Sequence, residues 1–206
     1  MDANLFYEED DVLSPELCEK IINMFEKDDL KHEGGVQINE HEFKVINDFK
    51  QSTELSITMG GEKWKEIDDI LHNVIIKCET KYLNFIKDAL LDKGANIKVI
   101  ERELAAIFTN LHDTGYNLCR IDKGQKYEWH EDDGGLGIPG SIIGCIIYLN
   151  TLDESDGGKT EFLCGKKIQP KTGKLLFFPT TWSNFHRGCE VKGKSKYTIN
   201  TIIKRE

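Results

Sequence analysis

The chain has 206 residues, 39% hydrophobic and 31% charged, with 27 Lys and Arg against 36 Asp and Glu and a net charge of -9. That length and balance suit one globular domain with a sizeable core. The acidic surplus argues against nucleic acid or anionic lipid as a partner, since both require clustered Lys and Arg. No run reaches the roughly 18 apolar residues of a membrane helix, and the start MDANLFYEEDD lacks the basic-then-apolar order of a signal peptide, so no membrane partner and a cytoplasmic location are expected.

In chain order, Ser14-Pro15-Glu16 reads as a helix start, and Leu17, Ile21, Ile22 and Phe25 recur at helical spacing, which predicts a helix over 14–28. Residues 29–61 are mixed and polar, with glycine pairs at 34–35 and 60–61, and predict irregular structure or short strands. Over 64–92, Trp64, Ile67, Leu71, Ile75, Cys78, Tyr82 and their neighbours form a 3.6-residue stripe, predicting one long amphipathic helix or two. Beyond about 100 the texture is β-rich, with strands expected at 116–121, 126–131, 142–149, 159–163, 173–178, 186–191 and 196–203. Helices followed by strands imply an α+β fold, a sandwich or a jelly roll (double-stranded β-helix), with the N-terminal helices packed on one sheet. The expected division is 1–100 as mainly helical support and 101–206 as the jelly-roll core. The six cysteines are dispersed without a CxxC pair and read as reduced, buried residues.

The chemistry concentrates in Tyr127-Glu128-Trp129-His130-Glu131-Asp132-Asp133. Alternation along a strand lets His130 and Asp132 point to one side and puts Asp133 on the other. His186 supplies a third ligand, 54 residues past Asp132. Two imidazoles and a carboxylate make the facial triad that leaves positions open on ferrous iron. His-x-Asp alone is a weak signal, and His32, His41, His72 and His112 have no comparable partners.

The order of the motifs is more specific. Asp122 to Asp132, Gly144-Cys145-Ile146-Ile147-Tyr148-Leu149-Asn150, Asp156-Gly157-Gly158-Lys159-Thr160-Glu161-Phe162 and Pro170 to Pro179 follow one another ahead of His186. From about Tyr116 to Lys204 this resembles the prolyl-4-hydroxylase-like branch of the 2-oxoglutarate and Fe(II)-dependent dioxygenases. The resemblance implies Fe(II) held by His130, Asp132 and His186, with 2-oxoglutarate and O2 as co-substrates and ascorbate as reductant. No catalytic residue beyond the metal ligands is expected.

The resemblance also implies that Lys196, ten residues past His186, holds the far carboxylate of 2-oxoglutarate. Alternation places Lys196, Thr198 and Asn200 on one face. Tyr148 is a secondary contact to the same carboxylate, with core packing as the alternative. Ile121 stands where many relatives carry a tyrosine. Tyr127, Trp129 and Trp182 flank the ligands and are candidate walls of a substrate pocket, again with core packing as the alternative. Candidate lids are the 133–141 loop and the 29–61 stretch.

The implied reaction is oxidative decarboxylation of 2-oxoglutarate coupled to hydroxylation of an unactivated C–H bond. The substrate is a proline-containing peptide or protein, or alternatively a free amino acid or small metabolite. A third reading, from another class, is a cupin-like module that binds metal without turnover.

Overall fold

The structure is a computed structural model that describes residues 5–39, 42–133 and 138–205; for residues 37–39, 42 and 43 only the backbone is described. His41 and residues 134–137 of the 133–141 lid segment lie outside the described residues. In chain order the elements are β1 (Tyr7–Glu9), α1 (Pro15–Glu26), β2 (His32–Glu33), β3 (Val36–Asn39), β4 (Glu42–Lys44), β5 (Thr53–Ser56), α2 (Glu62–Leu91) and α3 (Ile97–Ile107). There follow β6 (Leu111–Asp113), β7 (Asn117–Ile121), β8 (Tyr127–His130), β9 (Ser141–Tyr148), β10 (Thr160–Phe162), β11 (Lys167–Ile168), β12 (Leu175–Pro179), β13 (His186–Gly188) and β14 (Lys196–Arg205).

The eight-stranded major sheet runs β1-β12-β9-β14-β7-β5-β2, with β6 pairing the far end of β14. The four-stranded minor sheet runs β11-β10-β13-β8, and β3 and β4 form a separate hairpin. All pairings are antiparallel. The architecture is an α+β jelly roll with helices on one sheet face.

Local chemistry explains the helices. The Ser14 hydroxyl accepts the Leu17 amide at 3.2 Å and Pro15 opens α1 at a position whose amide needs no partner. In α2 the stripe Trp64, Ile67, Leu71, Ile75, Cys78, Tyr82 and Ile86 is buried, and one unbroken 30-residue helix results. That stripe packs on the outer face of the major sheet against Leu118, Ile143, Ile147, Leu175, Phe177 and Ile199. Removing this apolar area from water is the main stabilising term of the helix-on-sheet layer.

Asp28 fastens the end of α1 to the start of α2. Its buried carboxylate accepts from Lys63 Nζ at 2.6 Å, Trp64 Nε1 at 2.9 Å and the Leu30 amide at 2.9 Å. Burial would raise this carboxyl, but those donors outweigh it and pull its pKa down to about 2.

One expectation is corrected. Residues 97–107 are helix, so the β-rich part starts at Leu111 rather than near 100. Asn96 caps α3 by accepting the Lys98 amide at 3.0 Å, and only Ile100 of this helix is fully buried. The 186–191 strand is also shorter, ending at Gly188, because the Cys189 amide turns to the Lys159 carbonyl at 2.8 Å. All six cysteines are unpaired. Among the described residues no helix is long and apolar enough to cross a membrane.

Candidate metal and co-substrate site

β8 and β13 are neighbours in the minor sheet, with His130 opposite His186 in register. Chain direction then brings Asp132, two residues past the end of β8, back toward both imidazoles. Among the described residues these three form the one group of His, Cys, Asp or Glu whose ligand atoms all lie within 4.8 Å of one another. His130 Nε2 is 3.8 Å from Asp132 Oδ1, and His186 Nε2 is 3.8 Å from Asp132 Oδ2.

The opposite ring nitrogens explain the orientation. His130 Nδ1 lies 2.7 Å from the Glu128 carbonyl and His186 Nδ1 3.2 Å from the Asn184 carbonyl. A backbone carbonyl can only accept, so each Nδ1 donates and each Nε2 keeps its lone pair turned to the shared space. Burial, with His186 nearby, holds the His130 pKa well below its usual value, and burial raises Asp132. Aromatic rings seat the imidazoles: Tyr127 stacks on His130 at 3.7 Å between centroids, while Phe178 meets His186 edge-on at 4.8 Å. Two imidazoles and one carboxylate, converging without another cation among them, fit a divalent iron with room for further ligands.

The triad opens into a cavity of about 420 Å³ that reaches inward over the concave face of the major sheet. Lys196, Thr198 and Asn200 of β14 line it, as alternation requires, and Tyr197 and Ile199 face away. Lys196 is 5% exposed and has no carboxylate partner among the described residues. Burial alone pulls its ammonium down to about 8, so it is an uncompensated cation awaiting an anion. Lys194 is half-exposed and faces Asp153 and Asp156 instead.

Three expected contacts are placed differently. Tyr148 is fully buried beneath Lys196, with the ammonium 5.4 Å from its ring centre, and its hydroxyl pairs with the Thr160 hydroxyl at 2.7 Å. Thr160, rather than Tyr148, lines the cavity there. Trp129 is absent from the lining because it precedes His130 on β8 and takes the opposite face, where the Arg187 guanidinium lies 4.8 Å over its ring. Arg187 is held there by Glu161, at 2.8 and 2.6 Å. Trp182 stands on a short 3-10 turn and is 78% exposed. Tyr127 alone of the three aromatic candidates lines the cavity.

Sequence reasoning missed the far wall. Lys50 and Glu54 line the cavity beside Asn117 and Cys119, with Lys50 Nζ 2.7 Å from Glu54 Oε1. Phe49, next to Lys50, meets His130 edge-on at 6.2 Å. The only advance signal was the strand pattern of residues 53–56, which puts Glu54 on one face without saying which.

Residues 116–204 match the family model described as the 2OG-Fe(II) oxygenase superfamily. A curated relative, "2-oxoglutarate and iron-dependent oxygenase domain-containing protein 3" of Xenopus tropicalis, is 23% identical over 176 residues, covering 73% of this chain and 56% of the relative. The chain thus spans little more than half the length of that relative. Among solved structures, a viral collagen prolyl hydroxylase from Paramecium Bursaria Chlorella virus-1, in its 2OG complex, aligns with a TM-score of 0.65 at 22% identity, covering 100% of this chain and 98% of its own. A Trichoplax adhaerens prolyl hydroxylase, in complex with a hypoxia inducible factor peptide fragment, aligns with a TM-score of 0.67 at 17% identity, covering 98% and 84%. These two likenesses establish the shared fold. Residues 116–204, the stretch similar to that family model, hold His130, Asp132, His186 and Lys196.

Proposed function

We propose that this protein is a 2-oxoglutarate- and Fe(II)-dependent dioxygenase that hydroxylates an unactivated C–H bond, with proline as the substrate residue. The observation that carries the reading is one cavity holding both a His-Asp-His cluster within 4.8 Å and a buried cation without a carboxylate partner among the described residues. A binding module of the cupin kind has no need for the second feature.

In this reading His130, Asp132 and His186 are the metal ligands. Bound iron, 2-oxoglutarate and O2 supply the oxidative decarboxylation that yields succinate, carbon dioxide and the hydroxylated product, with ascorbate as the proposed reductant. The chain's own part is positional. The Glu128 and Asn184 carbonyls fix both ring tautomers. Lys196 pairs with the far carboxylate of 2-oxoglutarate, and the Thr198 hydroxyl on the same face adds a hydrogen bond. Ile146 and Phe178 line the same space and exclude water.

The prolyl hydroxylase neighbours support proline, and the Trichoplax structure holds a peptide. A second reading, the same chemistry on a free amino acid, is favoured by the charged pair Lys50–Glu54 in the cavity wall. Succinate release from labelled 2-oxoglutarate with Fe(II) and ascorbate tests the proposal. Release above that of Asp132→Ala is expected, rising with the correct substrate; none in any condition refutes it.

A further inference from the structure

We infer that Glu54 and Lys50 together form the substrate-recognition edge of the cavity and read the free ammonium and free carboxylate of a small substrate, an unblocked amino acid such as proline. The inference rests on the dioxygenase reading for its chemistry and on the cavity wall for its geometry.

Cross-strand register places the pair. Glu54 lies opposite Cys119, and Cys119 opposite Thr198, so Glu54, Cys119 and Thr198 form one row across β5, β7 and β14. Two strand spacings, about 10 Å, separate the Glu54 and Thr198 backbones. The co-substrate anchor and the Lys50–Glu54 pair therefore stand at opposite ends of one cavity. Its volume of about 420 Å³ is in the range that holds a drug-sized ligand, hence two small molecules.

The side-chain chemistry gives the ligand class. The side chains of Lys50 and Glu54 are only 16% and 3% exposed, and a buried ion pair adds little stability that apolar residues of the same size would not provide. Glu54 Oε1 accepts from Lys50 at 2.7 Å and from the Ser52 hydroxyl at 2.6 Å. Oε2 accepts from Asn117 Nδ2 at 2.8 Å, and among the described residues the one further donor interacting with this carboxylate is the weak Cys119 thiol. Burial opposes ionisation, yet Lys50, Ser52 and Asn117 keep the Glu54 pKa below its usual value, so the group is a carboxylate. A substrate ammonium is a far stronger donor than the thiol and fits that position.

Lys50 has matching capacity. Its ammonium donates to Glu54 and, at 3.1 Å, to the Gly35 carbonyl, which among the described residues leaves one N–H for a substrate carboxylate. The two charges lie side by side, so a zwitterion docks with its own dipole reversed against them. Lys50 also lies 5.2 Å over the Tyr127 ring, and that ring stacks on His130. Lys50, Glu54 and the three triad residues line the same cavity, so a ligand held at the pair shares that space with the triad. A peptide interior, with neither terminus free, leaves both charges unanswered.

The test compares succinate release with free amino acids, proline first, against the same residues carrying N-acetyl and C-amide blocks. Free amino acid should stimulate turnover and the blocked form should not. Glu54→Gln, which keeps shape but loses charge, should raise the KM for the amino acid roughly tenfold or more, as expected for a lost charged hydrogen bond. The KM for 2-oxoglutarate should stay within about twofold, a split that general disturbance of the fold would not produce. Stimulation by the blocked form, or an unmoved amino-acid KM in Glu54→Gln, overturns the inference. If Glu54→Gln does not fold, saturation-transfer NMR on the wild-type protein decides: transfer to free proline but not to its blocked form supports the pair, and any other pattern overturns it. Absence of succinate in every arm refutes the dioxygenase reading instead, and the NMR arm still judges the pair.

Discussion

The two faces of the major sheet are built from the same strands and do opposite work. On β14, Ile199 points outward into the helical layer, while Lys196 and Thr198 point inward to the cavity. On β7, Leu118 is outward and Asn117 and Cys119 are inward. The outward set is apolar and closely packed; the inward set carries hydroxyls, amides, thiols and charges. Stability and chemistry are thereby separated by a single residue step, the alternation of a pleated strand.

Inward substitutions should cost function and spare the fold, beginning with the largest effect. Asp132→Ala should reduce 2-oxoglutarate turnover to below a few per cent, with a thermal midpoint within about 3 °C of wild type, since nothing in the core rests on this carboxylate. Lys196→Met should raise the KM for 2-oxoglutarate by roughly a hundredfold, the loss of a buried charge-assisted pair, while chemical denaturation shows stability unchanged or higher because a buried cation with no carboxylate partner among the described residues is gone. An unstable Lys196→Met would break the comparison. The outward counterpart, Ile199→Ala, should lower unfolding free energy by about 2 to 4 kcal/mol and leave both KM values within about twofold.

A smaller effect belongs to the helical layer in acid. The Asp28 pKa is about 2 when folded and about 3.9 when unfolded, so its contribution is complete above pH ~4 and is lost as pH falls toward ~2. Asp28→Asn should remove about 2 kcal/mol near neutrality and flatten the acid limb of a denaturation series; an unchanged limb would assign acid sensitivity elsewhere. Trp182→Ala, at a side chain 78% exposed, should change neither stability nor turnover measurably.

Legibility followed the length of the periodic pattern. The α2 stripe repeats over seven buried positions, and the letters alone mark the helix to within two residues. α3 escaped because it is only 11 residues long and its apolar side is mostly β-branched, with Ile97, Val99, Ile100 and Ile107, which resembles the strands after it; the Asn96 cap was the available clue. His130, Asp132 and His186 were readable as a set through the motif order around them. Trp129 was misjudged by adjacency, although strand alternation already sends it to the far side of His130. The Lys50–Glu54 pair could not be read, because only the pairing of β5 with β7 turns an ordinary polar segment into a cavity wall.

The most direct test is anaerobic titration of Fe(II) into wild-type and Asp132→Ala protein, which needs no substrate. One ion per chain should bind the wild type, and the variant should bind at least about a hundredfold more weakly. Equal affinities would contradict the assignment of His130, Asp132 and His186 as the iron ligands.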